Sequence, residues 1–251
     1  MSRAVTVLVP AAGRSSRYEQ AGITTPKGLI RFRWRQGYKR PMIAHVALND
    51  HHLSDRAEFY VGVERATAEW CALHEFGMNL LQTGPTRGQA ETVLRMLQML
   101  DLNAAPVLVL NTDAGFTYPL DLFVRQSLDF PASALVFHSR NRAYSYVDGM
   151  PTFHTAREKD PITKWAMAGA YFFPRGEILR EAIELQISAN HVHNGEFYLS
   201  GAFTYMLGMA KLAVPMQPSQ WHSWGTPEDL AHDAAVEVED PAIEAILKTL
   251  R

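Results

Sequence analysis

The chain is 251 residues long, with 47% hydrophobic and 20% charged residues and a formal net charge of −2, ample for a buried core and ordinary for a globular protein. The balanced charge gives no sign of a broad basic surface for nucleic acid or an anionic membrane, so phosphate binding has to come from locally placed basic side chains. The lone cysteine, Cys71, excludes an intrachain disulfide and a thiolate metal cluster and, in a helix-like stretch, reads as a packing residue. The apolar run near the N-terminus is too short for a secretory signal, and no run reaches membrane-spanning length. A reducing cytoplasm is the expected location.

Residues 5–9 form a continuous apolar, β-branched run closed by Pro10, which reads as a strand buried on both faces. A small-residue turn follows, Ala11, Ala12 and Gly13, then Arg14, Ser15, Ser16 and Arg17, with Lys27 ten residues on. Amides, hydroxyls and guanidiniums at the C-terminal end of a strand suit a polyphosphate, since all are donors or positive charge. Lys27 adds a mobile point charge. On these residues alone an ordinary surface loop fits equally well.

Residues 29–34 alternate and precede Gln36-Gly37, a hairpin signal, and Pro41 opens a helix running to about Leu48. Arg31, Arg33, Arg35 and Arg40 read as a solvated face. A strand at 59–63, a helix at 66–76 and a strand at 78–81 follow. The turn-rich stretch 83–88 then runs into a helix at 89–100, in which Val93, Leu94, Leu97 and Leu100 share a face. The free N–H groups where that helix begins favour an anion or a hydrogen-bonding base. Residues 106–110 are the most clearly buried strand and end in Asn111-Thr112-Asp113. An acidic residue past an all-apolar strand is where open α/β sheets place ligands. Asp113 reads as either a divalent-cation ligand or a loop carboxylate.

The second half predicts a strand at 134–137, two strands within 144–153 joined at Asp148-Gly149, and a strand at 165–173 interrupted by Gly169. Helices are expected at 176–185 and 197–209, a short strand at 212–214, and two closing helices from Thr226-Pro227 and Pro241. The repeating β-loop-α order predicts an α/β fold with a mostly parallel central sheet flanked by helices, a Rossmann-like arrangement. With no linker or repeat, residues 1–251 are expected to form one domain. The pair His191 and His193 lacks a third strong ligand nearby and reads as a solvated loop.

In order, these landmarks resemble the sugar-phosphate nucleotidyltransferase family, which joins a nucleoside triphosphate to a phosphorylated sugar or similar alcohol. The likeness rests on Ala11 to Arg17 with Pro26-Lys27, Pro41-Met42-Ile43, Arg87-Gly88, and Leu110 to Asp113. It continues through Glu158-Lys159, Gly169, Glu196 and Tyr198, and Gly225-Thr226-Pro227-Glu228, covering about residues 4–230. The variety resembled is the short bacterial one linked to surface-polysaccharide assembly.

The resemblance implies that Arg17 and the segment Pro10, Ala11, Ala12, Gly13, Arg14, Ser15 and Ser16 hold the nucleotide. Gln82 and Gly88 would read the base. Lys27 would lie between the α-phosphate and the attacking phosphate, and Asp113 would anchor Mg²⁺. Gly169, Glu196 and Tyr198, with Lys164, would meet the acceptor. The implied partners are an NTP and a phosphorylated small molecule, with no nucleic acid or membrane; a homo-oligomer is left open.

One departure stands out. Many members carry a second metal-binding aspartate two residues before the Gly-Thr pair, where this chain has Ser223. The metal would then rest on Asp113 with substrate phosphates and water, or gain His222, or catalysis would be impaired. A metal-dependent glycosyltransferase and a non-catalytic nucleotide-binding module remain as alternatives.

Overall fold

The structure, a computed structural model, describes residues 5–13, 15–35, 37–48, 57–153, 155–208, 213–216, 218 and 220–251. Arg14, Gln36, Met209 and Leu212, named above, lie outside the described residues. Strand β1 (Val5–Pro10) has parallel neighbours on both sides. After it come β2 (Arg31–Trp34) and β3 (Lys39–Pro41), which form the expected hairpin. Next are β4 (Ala57–Val63), β5 (Met78–Gln82), β6 (Val107–Leu110) and β7 (Ala114–Phe116). The second half adds β8 (Ala132–His138), β9 (Ser145–Val147), β10 (Ala156–Glu158) and β11 (Trp165–Phe173). It closes with β12 (Ala213–Met216), β13 (Trp221–Ser223) and β14 (Val236–Val238).

The central sheet runs β10-β9-β11-β6-β1-β4-β5, with β8 paired to β11 and to β12. The strands β5, β4, β1 and β6 are mutually parallel, the Rossmann-like core expected from the β-loop-α repeats. Beyond β6 the sheet turns antiparallel through β11. Helices cover both faces, which is why β6 reads as an unbroken apolar run and β1 as one broken only by Thr6, itself buried. Val5, Val7 and Val9 face one core, with Leu108 and Leu110 of β6, and Leu8, Val107 and Val109 face the other. Fully burying one such side chain stabilises the fold by about 1.5–3 kcal/mol.

Several elements differ from expectation. The 66–76 helix is a single α-turn, Ala68–Cys71, continued as a 3₁₀ segment, Ala72–Phe76, and Cys71 is exposed rather than packed. Residues 144–153 do not form a hairpin at Asp148-Gly149: β9 pairs instead with β10, across a longer loop. The helix Leu120–Ser127 and the three-residue strands β7, β13 and β14 were not apparent from periodicity, because such short strands leave too few alternations to read. Among the described residues no helix is long and apolar enough to cross a membrane.

Under the β2–β3 hairpin, the helix Met42–Ala47 buries His45, whose Nε2 lies 2.7 Å from the Phe32 carbonyl oxygen and whose ring stacks on Phe32. Burial pushes its pKa down to about 4, against a smaller upward pull from the Phe32 carbonyl. Unfolded, the imidazole takes up a proton below about pH 6.5, whereas the folded chain holds it neutral, so stability falls as pH drops from 6.5 towards 4. The full loss is about 3 kcal/mol. Urea midpoints measured at about pH 7.5 and 5 should diverge in the wild type and diverge less in His45→Gln; equal slopes in the two proteins would refute this.

Candidate functional site

The site lies where β1 and β6 end. The Ala11 amide extends the β1–β4 pairing by donating to the Gly62 carbonyl at 2.7 Å, after which the chain turns through Gly13 and Ser15. Ser15 has left-handed backbone (φ 53) and begins the helical turn Ser16–Gln20. Its Oγ accepts from the Lys27 amide at 3.1 Å, tying the glycine-containing loop to Pro26-Lys27. A cavity of about 220 Å³ opens beside this loop, lined by Ala11, Gly13, Ser15 and Pro26 and reaching Arg65 and Trp70.

Lys27 crosses to β6: its Nζ lies 2.6 Å from Asp113 Oδ2, with the two side chains 20% and 26% exposed. The backbone at Asp113 is held from two directions. The Asn111 amide donates to the Gly169 carbonyl at 2.8 Å, and the Asp113 carbonyl accepts from the Trp224 amide at 2.8 Å. The second contact follows from β7 pairing antiparallel with β13, which sets Ser223 opposite Ala114. Beneath both, the buried Tyr18 hydroxyl donates to the Trp224 carbonyl at 2.8 Å and approaches that of Thr226 at 3.1 Å. Burial first, then the charges of Asp113, Asp229 and Glu228, raise its pKa, so the phenol stays a neutral donor.

The predicted nucleotide and acceptor residues meet along the same rim. Gly88 (φ 125) precedes the helix Gln89–Met99. A Cβ there would lie 2.7 Å from the Phe197 nitrogen and 2.8 Å from its oxygen, so only glycine allows this approach. Phe197 in turn donates to the Arg87 carbonyl at 2.8 Å and accepts from the Ala90 amide at 2.9 Å, bringing Glu196 against Gly88. Gly169 (φ 88) allows an equally close approach, since a Cβ there would lie 2.9 Å from the Asn111 side chain. Arg17 is exposed, and its positive charge is felt at Tyr198, whose pKa is raised chiefly by burial and then by hydrogen bonding to Glu196.

Two expected residues sit differently. Gln82 is exposed, with Oε1 accepting from the Ala66 amide at 3.2 Å. Lys164 is exposed too, its ammonium 5.0 Å over the Trp165 ring. The lysine at the rim is Lys159, with Nζ 3.2 Å from the Tyr198 hydroxyl and 4.9 Å over that ring. The Glu158-Lys159 pair was the available signal for it. Gln89, which donates to Asn111 Oδ1, bridges the base-side loop and β6; nothing in its spacing marked it. His222 is engaged elsewhere, its Nδ1 3.0 Å from Asp233 Oδ2.

Chemically, this is a positively charged and amide-rich loop facing a carboxylate, with a second rim of hydroxyl, carboxylate and ammonium groups about Tyr198. Among the described residues no three His, Cys, Asp or Glu side chains gather into an all-protein metal cage. The hard carboxylate oxygen of Asp113 does suit Mg²⁺, which commonly binds through one or two carboxylates and substrate phosphates. A cation already stands on it, the Lys27 ammonium.

No protein-family model matches the chain, and no curated protein matches it. Solved structures do. A nucleoside-diphosphate-sugar pyrophosphorylase from Vibrio cholerae RC9 superposes with a TM-score of 0.74 at 22% identity, over 89% of this chain and 97% of that one. A Bacillus anthracis protein assigned as a glucose-1-phosphate thymidylyltransferase, in complex with a sucrose, gives 0.71 at 18%, over 89% and 91%. A UDP-glucose pyrophosphorylase complexed with UDP-glucose gives 0.67 at 13%, over 91% and 95%. The chain shares their fold. At such identities the likeness is one of fold, and activity has to be argued from the site.

Proposed function

We propose that this chain is a nucleotidyltransferase that condenses an NTP with a phosphorylated acceptor, a sugar 1-phosphate or small phospho-alcohol, releasing pyrophosphate. The observation that carries the reading is the Lys27–Asp113 pair, 2.6 Å apart where the loop after β1 meets the end of β6. It unites the mobile positive charge and the metal-suited carboxylate that this reaction needs. The activated product would serve surface-polysaccharide assembly in the cytoplasm, with residues 1–251 acting as one catalytic unit.

An oxygen of the acceptor phosphate forms the new bond to the α-phosphorus as the α–β bridging bond breaks, its electron pair leaving with pyrophosphate. The acceptor phosphate is already anionic, so no general base is required; the protein contributes charge neutralisation and alignment. Amides of residues 12–16 and Arg17 hold the triphosphate. Lys27 moves its ammonium between the α-phosphate and the incoming phosphate, where repulsion is greatest. Asp113 would hold Mg²⁺, which would supply Lewis-acid stabilisation of the charge developing on the transferred phosphoryl group. Gly88 and the loop backbone face the base. Glu196 accepts from acceptor hydroxyls, and Tyr198 and Lys159 line the same rim, where the Lys159 ammonium would meet the acceptor phosphate.

The reading is tested by incubating the protein with each of the common NTPs against sugar 1-phosphates and small phospho-alcohols and following pyrophosphate. At least one pair should release pyrophosphate in step with product. Sugar transfer from a nucleotide-sugar without pyrophosphate would refute it.

A further inference from the structure

Ser223 stands where many members of the resembled family carry a carboxylate, yet a carboxylate reaches this point from another element. Asp229 lies in the first turn of the helix Pro227–His232. Its Oδ2 accepts the Ser223 hydroxyl at 2.7 Å. Gly225 lies close to both and to Asp113. A Cβ added to it would stand 3.5 Å from Asp113 Oδ2, 3.6 Å from Ser223 Oγ and 3.7 Å from Asp229 Oδ2. Hard oxygens of all three residues therefore lie within 3.7 Å of one point beside Gly225.

A carboxylate in the first turn of a helix is favoured by the helix dipole whatever else it does. That accounts for an acid at 229, but not for its aim at Ser223 and the Asp113 cradle. The segment between is rigidly placed, because Tyr18 holds the Trp224 and Thr226 carbonyls and the Asp229 amide donates to the Thr226 hydroxyl at 3.0 Å. The cradle also tolerates positive charge, as the Lys27 ammonium on Asp113 demonstrates.

Building on the nucleotidyltransferase reading, we propose that Asp229 is the second carboxylate of the divalent-cation site, held beside Asp113 by Ser223. The serine supplies position and the aspartate supplies charge, so the two together do what one aspartate at 223 would do. A hard divalent cation with two carboxylates, completed by phosphate oxygens and water, is the ordinary ligand set for Mg²⁺.

The test uses Mn²⁺ as a paramagnetic probe, titrated into the full chain with a non-hydrolysable NTP analogue and read by electron paramagnetic resonance. Asp113→Asn and Asp229→Asn should each weaken Mn²⁺ binding by about ten-fold or more. Ser223→Ala, which leaves the helix untouched, should weaken it by less. Adding Ser223→Asp to the Asp229→Asn variant should restore affinity, and lack of recovery would count against the assignment. Thermal midpoints distinguish a merely structural Asp229, which would lower the midpoint and leave Mn²⁺ affinity unchanged. Wild-type affinity in Asp229→Asn, beside a loss in Asp113→Asn, would overturn the proposal and leave the nucleotidyltransferase reading standing. Failure of the wild type to bind Mn²⁺ with any analogue would bring down both.

Discussion

Replacing Lys27 by alanine should lower turnover by about 10²–10³-fold, near 3 kcal/mol in the barrier, the scale of a single preorganised electrostatic group. The reacting phosphates are both anionic, and the ammonium is the charge best placed to move between them. In the free protein it rests 2.6 Å from Asp113 Oδ2, so substrate has to compete for it. This gives the prediction a second half. Removing the ammonium frees Asp113, and divalent-cation affinity in the absence of nucleotide should rise while turnover collapses. Asp113→Ala should also lower turnover by orders of magnitude, but with cation affinity lost. Circular dichroism would confirm an intact fold in each variant. Near-normal rates in either would exclude the assigned roles.

Gly88→Ala should be the most damaging single-methyl change in the site. Its φ of 125 with ψ of −179 belongs to a backbone region nearly reserved for glycine, and the added Cβ would press on the Phe197 backbone at 2.7 and 2.8 Å. Backbone cannot swing aside as a flexible side chain can. The strain alone is about 1–3 kcal/mol, and relieving the clash would part the 83–88 loop from the segment that carries Glu196. Urea denaturation should therefore show a clear loss of stability, with weaker NTP binding. Gly13→Ala is the matched control: a Cβ there meets nothing within 4 Å, so stability should be nearly unchanged while the methyl group crowds the bound nucleotide. Equal stability losses in the two variants would contradict this division.

The parts of the site that could be read from sequence are those set by strands buried on both faces. Residues 5–9, Thr6 apart, and 106–110 are apolar because both faces of the sheet are covered. The first polar residues beyond them, leading to Lys27 and Asp113, therefore mark the edge of the sheet at which the proposed site lies. Gly88 and Glu196 could be found as motif residues, though not as neighbours, since their contact depends on long-range bonds between Arg87, Ala90 and Phe197. The contact of Lys159 with Tyr198 is likewise set by which direction a loop turns, and spacing does not encode that. The contact between Asp229 and Ser223 was hidden for a related reason. Asp229 reads as an ordinary helix-start acid until the three-residue pairing of β7 with β13 brings Ser223 beside Asp113. In the antiparallel half β8 and β11 are long enough to read, whereas β9 and β10 are three residues each and pair across a loop.

The central claim is a specific bond cleavage, and a γ-phosphate label reports it directly. With an active NTP and acceptor pair, label from the γ-phosphate should appear in pyrophosphate, in amounts equal to the nucleotide-linked product and dependent on acceptor. Label recovered in the acceptor or in orthophosphate would mean that the β–γ bond is broken instead, and would contradict the account.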